Sequence, residues 1–155
     1  VFLIGNKLVR FIFGEIFALS AVIAVILLSV NMNNHFGKKK TAVIKTKLVY
    51  TVTSAQSPIK AVAVKKIGKN NFILVYKNAK NDAQVNTHFV PDTSKIVKAT
   101  NTNSNCEKNN VTKAQVKTVT TKWIYKSSLW KNFFYNKNED NRVSIKHVLQ
   151  VPKTW

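Results

Sequence analysis

The chain has 155 residues, of which 25 are Lys or Arg and only 6 are Asp or Glu, for a net charge of +19. That length suits one small domain with its own core beside a short extra segment. The single cysteine, Cys106, excludes an intramolecular disulfide, and an acid-poor chain with 3 histidines offers little material for a catalytic centre.

The first element is apolar. Ile16 to Val30 reads IFALSAVIAVILLSV without a charge, and NMNNHFGKKK then stops the run. Crossing a bilayer core takes roughly 20 helical residues at about 1.5 Å each, so the expected span reaches back to Phe11 and covers residues 11–30. Glu15 falls near its end, and Lys38, Lys39 and Lys40 lie beyond the headgroup asparagines. A signal peptide would have a shorter apolar core and a small-residue cleavage site, which Val30, Asn31 and Met32 do not supply. Residues 1–5, VFLIG, read as the tail of an earlier span. The loop between would carry Lys7 and Arg10, and short basic loops prefer the cytoplasm. The expected arrangement is therefore a membrane anchor with a basic juxtamembrane segment over residues 1–40, and an extracytoplasmic domain over 41–155.

Past residue 41 the pattern changes to short alternating runs rich in β-branched residues, which favour strands. Val43 to Thr53 is the first predicted strand, with Ile44, Thr46, Leu48, Tyr50 and Val52 on one face. Ile59 to Lys66 is the second, followed by the turn GKNN at 68–71. Phe72 to Lys77, FILVYK, reads as a central strand; the short turn at 78–82 predicts an antiparallel hairpin with Gln84 to Val90. Lys95 to Thr100 is a weaker strand, and Asn101 to Asn110, NTNSNCEKNN, reads as a loop. Val111 to Ser127 is a long strand whose Trp123 and Tyr125 set is expected to face inward. In the last strand Val143, Ile145, His147, Leu149 and Val151 share one face, with Gln150 on the other. The expected fold is mainly β: an N-terminal helix followed by a small antiparallel sandwich or barrel of about seven strands.

Between the last two strands, SLWKNFFY (Ser128 to Tyr135) puts four aromatics in eight residues. It reads as a short helix closing the sheet, or as a wedge at the membrane interface, where Trp and Tyr are favoured. Lys126, Lys131 and Lys137 flank it and suit anionic headgroups. The contact residues expected on this basis are Lys38, Lys39, Lys40, Lys126, Trp130, Lys131, Phe133 and Phe134.

No Walker loop, dinucleotide fingerprint, HExxH or CxxC motif occurs. No catalytic, metal or cofactor residues are expected, and the chain reads as a non-enzyme. Residues 41–155 hold 20 of the basic and 5 of the acidic residues, a balance that attracts polyanions: anionic lipid headgroups, wall polymers with phosphate backbones or nucleic acid. The lysine and asparagine richness is also what a genome of low G+C content writes. Arg10 and Arg142 are the only arginines, which disfavours nucleic-acid readout.

The stretches NNHFG (Asn33 to Gly37), VYK (Val75 to Lys77), KWIYKS (Lys122 to Ser127) and VPKTW (Val151 to Trp155), in that order, are the ones that look familiar. Together they resemble a family of small uncharacterised membrane proteins from lactic-acid bacteria, in which two N-terminal helices precede a basic, β-rich domain of unknown function. The resemblance implies architecture and no site residues; a surface domain without disulfides is, separately, common in Gram-positive bacteria. The function expected is a membrane-anchored, non-catalytic envelope protein whose basic domain meets anionic polymers or lipid headgroups. The alternative is an accessory subunit of a membrane transporter, packing through the small residues Ala18, Ser20, Ala21 and Ala24 of the span.

Overall fold

The computed structural model describes residues 5–54, 56–67, 71–92, 94 and 99–155. The first helix, α1, runs from Lys7 to Asn34, 28 residues. At about 1.5 Å per residue that is roughly 42 Å, more than a hydrocarbon core needs. The Asn6 side chain caps its start by accepting the Leu8 N–H at 3.0 Å. His35 ends it in the left-handed region at φ 55°, its N–H donating to the Asn31 carbonyl at 3.0 Å. The helix thus exceeds the expected span by about a turn at each end. No part of its most apolar stretch is buried, and it is long and apolar enough to cross a membrane.

Seven strands follow among the described residues: β1 (Lys38–Leu48), β2 (Ala63–Ile67), β3 (Asn71–Tyr76), β4 (Asn86–His88), β5 (Thr102–Asn109), β6 (Gln115–Tyr125) and β7 (Arg142–Pro152). A short helix, α2 (Ser128–Phe134), joins the last two. The strands form a four-stranded sheet in the order β1-β6-β7-β5 and a three-stranded sheet in the order β2-β3-β4. The chain is therefore mainly β behind an apolar helix.

The expected 72–77 and 84–90 hairpin is present as β3 paired antiparallel with β4. It is cut short because Phe89 takes φ 60°, which a strand does not tolerate. The second strand starts late for a different reason. Thr51 Oγ1 accepts the Ala61 N–H and donates to the Ala61 carbonyl, both at 2.9 Å, holding residues 59–61 in a hydroxyl-bonded loop. The GKNN turn and the weak strand at 95–100 fall largely on residues 68–70 and 95–98, outside the described residues.

Three expectations are corrected. The stretch read as a loop at 101–110 is β5, paired parallel to β7 with Cys106 opposite Leu149, so the sheet is mixed and not purely antiparallel. Its polar side chains are satisfied across the structure. Ser104, 3% exposed, accepts the Phe72 N–H at 2.9 Å and donates back to the Phe72 carbonyl. Glu107 accepts from Gln150, which in turn accepts from Gln115.

The first strand begins at Lys38, five residues before the expected Val43, because Gly37 at φ 78° turns the chain straight out of α1. Its half-buried positions are Thr41 and Val43, while Ile44 and Leu48 are exposed.

On β6 the buried position is Val116, from the face opposite Trp123 and Tyr125, because it sits across from the fully buried Leu149. Gln150 is also buried, since β7 is flanked by β6 and β5 and its last residues are enclosed on both faces.

The core gathers Val49, Leu74, Tyr76, Ala114, Val116, Leu149 and Val151. Full burial of a leucine such as Leu74 or Leu149 stabilises by about 1.5–3 kcal/mol. The chain falls into two compact units, residues 1–39 with 123–140, and residues 40–122 with 141–155. The segment bearing α2 thus belongs with the apolar helix.

Candidate membrane-interface site

The first unit is built around the C-terminal end of α1. Asn31, 7% exposed, turns its amide back to donate to the Phe36 carbonyl. The two left-handed residues His35 and Gly37 bracket Phe36, and the Gly37 carbonyl accepts the Lys126 N–H at 2.9 Å. Gly37 is required twice over. Its φ is positive, and a Cβ there would lie 3.0 Å from Cγ of Trp130.

Aromatic rings surround this end. His35 stacks on Trp123 at 4.3 Å, Phe36 meets Trp130 edge-on at 4.9 Å, and Trp130 stacks with Phe134 at 5.6 Å. The Tyr125 hydroxyl donates to the Phe134 carbonyl at 2.7 Å and ties α2 to β6. Ser127 caps α2 by accepting the Trp130 N–H at 3.4 Å. Leu129 and Phe133, four apart and so on one helix face, are exposed together with Tyr135.

The expected contact residues divide. Lys38 is not a surface group: its side chain is 1% exposed, its ammonium lies 2.6 Å from a Glu139 carboxylate oxygen and 5.0 Å from the Tyr125 ring centre. Trp130 and Phe134 are half-buried against the helix end and act as its packing. Phe133 points outward, 70% exposed, and Lys39, Lys40, Lys126 and Lys131 are exposed. Lys131 lies 5.9 Å from the Tyr135 ring centre. Sequence reasoning missed His35, Phe36, Gly37, Trp123 and Tyr125 as parts of this collar. The available signal was HFG directly after the apolar run, an aromatic and a glycine where a helix must end.

In the second unit the titratable groups sit among rings. His147 stacks on Phe89 at 3.7 Å and shares a 2.9 Å hydrogen bond between its Nδ1 and Thr118 Oγ1; burial pulls its pKa down to about 4. His88 stacks on Tyr76 at 3.9 Å, and its pKa is lowered by burial and then by the charge of Lys47. Burial and the neighbouring Glu107 raise the pKa of the Cys106 thiol, the reverse of an activated nucleophile. Among the described residues no group of three or more His, Cys, Asp or Glu gathers as a metal site would need. At neutral pH these groups are held uncharged.

The chain matches DUF4811, a domain of unknown function, over residues 6–155, and it belongs to that family. No curated protein and no solved structure matches it.

Proposed function

We propose that this member of the DUF4811 family is a membrane-anchored, non-catalytic protein of the bacterial cell envelope. In this reading α1 crosses the bilayer, and the β-domain lies outside the cytoplasm and meets anionic lipid headgroups and wall polymers. Lys7 and Arg10, at the start of α1, favour the cytoplasmic side for that end. One observation carries the proposal. The unburied apolar helix ends in a packed aromatic collar, and the same unit exposes Leu129, Phe133 and Tyr135 beside Lys126 and Lys131. Aromatic residues concentrate at the headgroup level, and each nearby lysine adds about 1 kcal/mol on an anionic surface.

The test uses the full chain in lipid nanodiscs, with Trp123→Phe and Trp155→Phe leaving Trp130 as the reporter. Lipids brominated high on the acyl chain are expected to quench Trp130, and anionic lipid to deepen the quenching at low salt. Emission from Trp130 indifferent to brominated lipid would refute the interface placement.

A further inference from the structure

The second unit contains a cavity of about 460 Å³ that the membrane-facing site does not use. Its walls come from residues 48–53, 77–80 and 112–114. These segments are locked to one another by backbone hydrogen bonds. Tyr50 N–H donates to the Lys77 carbonyl at 2.9 Å, Lys77 N–H donates to the Tyr50 carbonyl at 3.1 Å, and Val49 N–H donates to the Ala114 carbonyl at 3.0 Å. The cavity is therefore pre-formed. Its apolar floor includes Val49 and Ala114, 3% and 2% exposed, with the Trp155 ring beside them.

Four lysines, Lys60, Lys77, Lys80 and Lys113, line this space, and none of the chain's acidic residues does. Lys60 is held in place by donating to the Ser57 carbonyl at 2.9 Å. Like charges gathered around a cavity repel one another, and a bound anion reverses the sign of that interaction. The size leaves room for more than a bare inorganic ion: ligand cavities fall at about 300–1,000 Å³, and here an apolar floor and two aromatic side chains, Tyr50 and Trp155, adjoin the charges. Lysines act as independent point charges suited to a tetrahedral phosphate. Every charged side chain that lines the cavity is a lysine, so an anion there would meet several point charges and not the arginine fork that grips carboxylate and phosphate alike.

We propose that this cavity binds one phosphorylated polyol or sugar unit of an anionic envelope polymer, phosphate toward the lysines and carbon skeleton against the floor. The proposal rests on the envelope reading above and adds the ligand class and the residues that take it.

Trp155 supplies the probe. With Trp123→Phe and Trp130→Phe, the full chain in neutral detergent micelles is titrated with glycerol 3-phosphate, inorganic phosphate, glucuronate and a single-stranded oligonucleotide. Glycerol 3-phosphate is expected to shift the Trp155 emission saturably, and inorganic phosphate to bind more weakly. Lys80→Gln with Lys113→Gln, both at exposed positions, is expected to leave the thermal midpoint unchanged and to weaken binding by about tenfold, as the loss of charge-assisted contacts does. No saturable shift, equal affinity for glucuronate, displacement of glycerol 3-phosphate by the oligonucleotide at lower concentration, or indifference to the double substitution each overturns the proposal. A poly(glycerol phosphate) pull-down separates the two levels. If the double variant keeps full polymer binding, the cavity assignment fails and the envelope reading stands. If the unsubstituted chain does not bind polymer at all, the polymer part of that reading fails with it.

Discussion

Acid should destabilise the β-domain through His147. Its ring is stacked on Phe89 and bonded to Thr118, and its folded pKa is about 4 against an ordinary value of 6.5. Because the folded pKa of this base is depressed, the unfolded chain binds the proton more readily. The stabilisation is complete above about pH 6.5 and is lost progressively as pH falls toward about 4. A shift of this size corresponds to at most about 3.5 kcal/mol at about 1.36 kcal/mol per unit. The ring is only half-buried, so solvent screening reduces this to about 1–2 kcal/mol. His88 acts in the same direction, its pKa also being lowered.

The assay is urea unfolding of the full chain in micelles at about pH 7.5 and about pH 4.5, beside His147→Gln, which keeps a hydrogen-bonding group near Thr118 and cannot be protonated. Carboxylate titration is common to both proteins and cancels. The native chain is expected to lose about 1–2 kcal/mol more than the variant over this interval. Parallel losses in the two proteins would refute the reasoning and mean that the ring takes up its proton without cost.

Three further outcomes are expected. Gly37→Ala forces a side chain into the left-handed region and 3.0 Å from Trp130, and should cost about 1–3 kcal/mol by chemical denaturation, with altered Trp130 emission. Glu139→Gln takes the carboxylate from the buried Lys38 ammonium and should cost about 1–3 kcal/mol, while the paired change Lys38→Met with Glu139→Gln should recover most of it in a double-mutant cycle. Ser104→Ala strips both hydrogen bonds from the Phe72 backbone and should cost about 1–3 kcal/mol, with faster amide exchange at Phe72 as the local readout.

The elements that announce themselves by apolar periodicity were legible in the sequence: α1, the β3–β4 hairpin, β7 and the short helix α2. What escaped had its cause in partners distant along the chain. β5 carries almost no apolar signal, because Ser104 and Glu107 are satisfied by Phe72 and Gln150, more than 30 residues away. Lys38 looks like its solvated neighbours Lys39 and Lys40, and only the return of Glu139 makes it a buried charge. The wedge of aromatics was visible as composition. Its division into rings packed on the helix end, Trp130 and Phe134, and side chains left outside, Leu129 and Phe133, needed the position of Gly37. The lysine cavity was invisible, since Lys60, the neighbouring Lys77 and Lys80, and Lys113 come from three separate segments.

The collar around the end of α1 also sets an order of events. Lys38 and Glu139 are 101 residues apart, and Trp123, Tyr125 and Trp130 come almost as late as Glu139. During synthesis the helix emerges well before the groups that finish its end, the last of which, Glu139, follows Lys38 by 101 residues. Contacts across so long a loop form slowly. For that interval Asn31, Phe36 and the Lys38 ammonium stand without their collar. A nascent chain stalled before residue 123 would hold an intact apolar helix with an unfinished end, and this is the stage at which quality-control proteases would find it open.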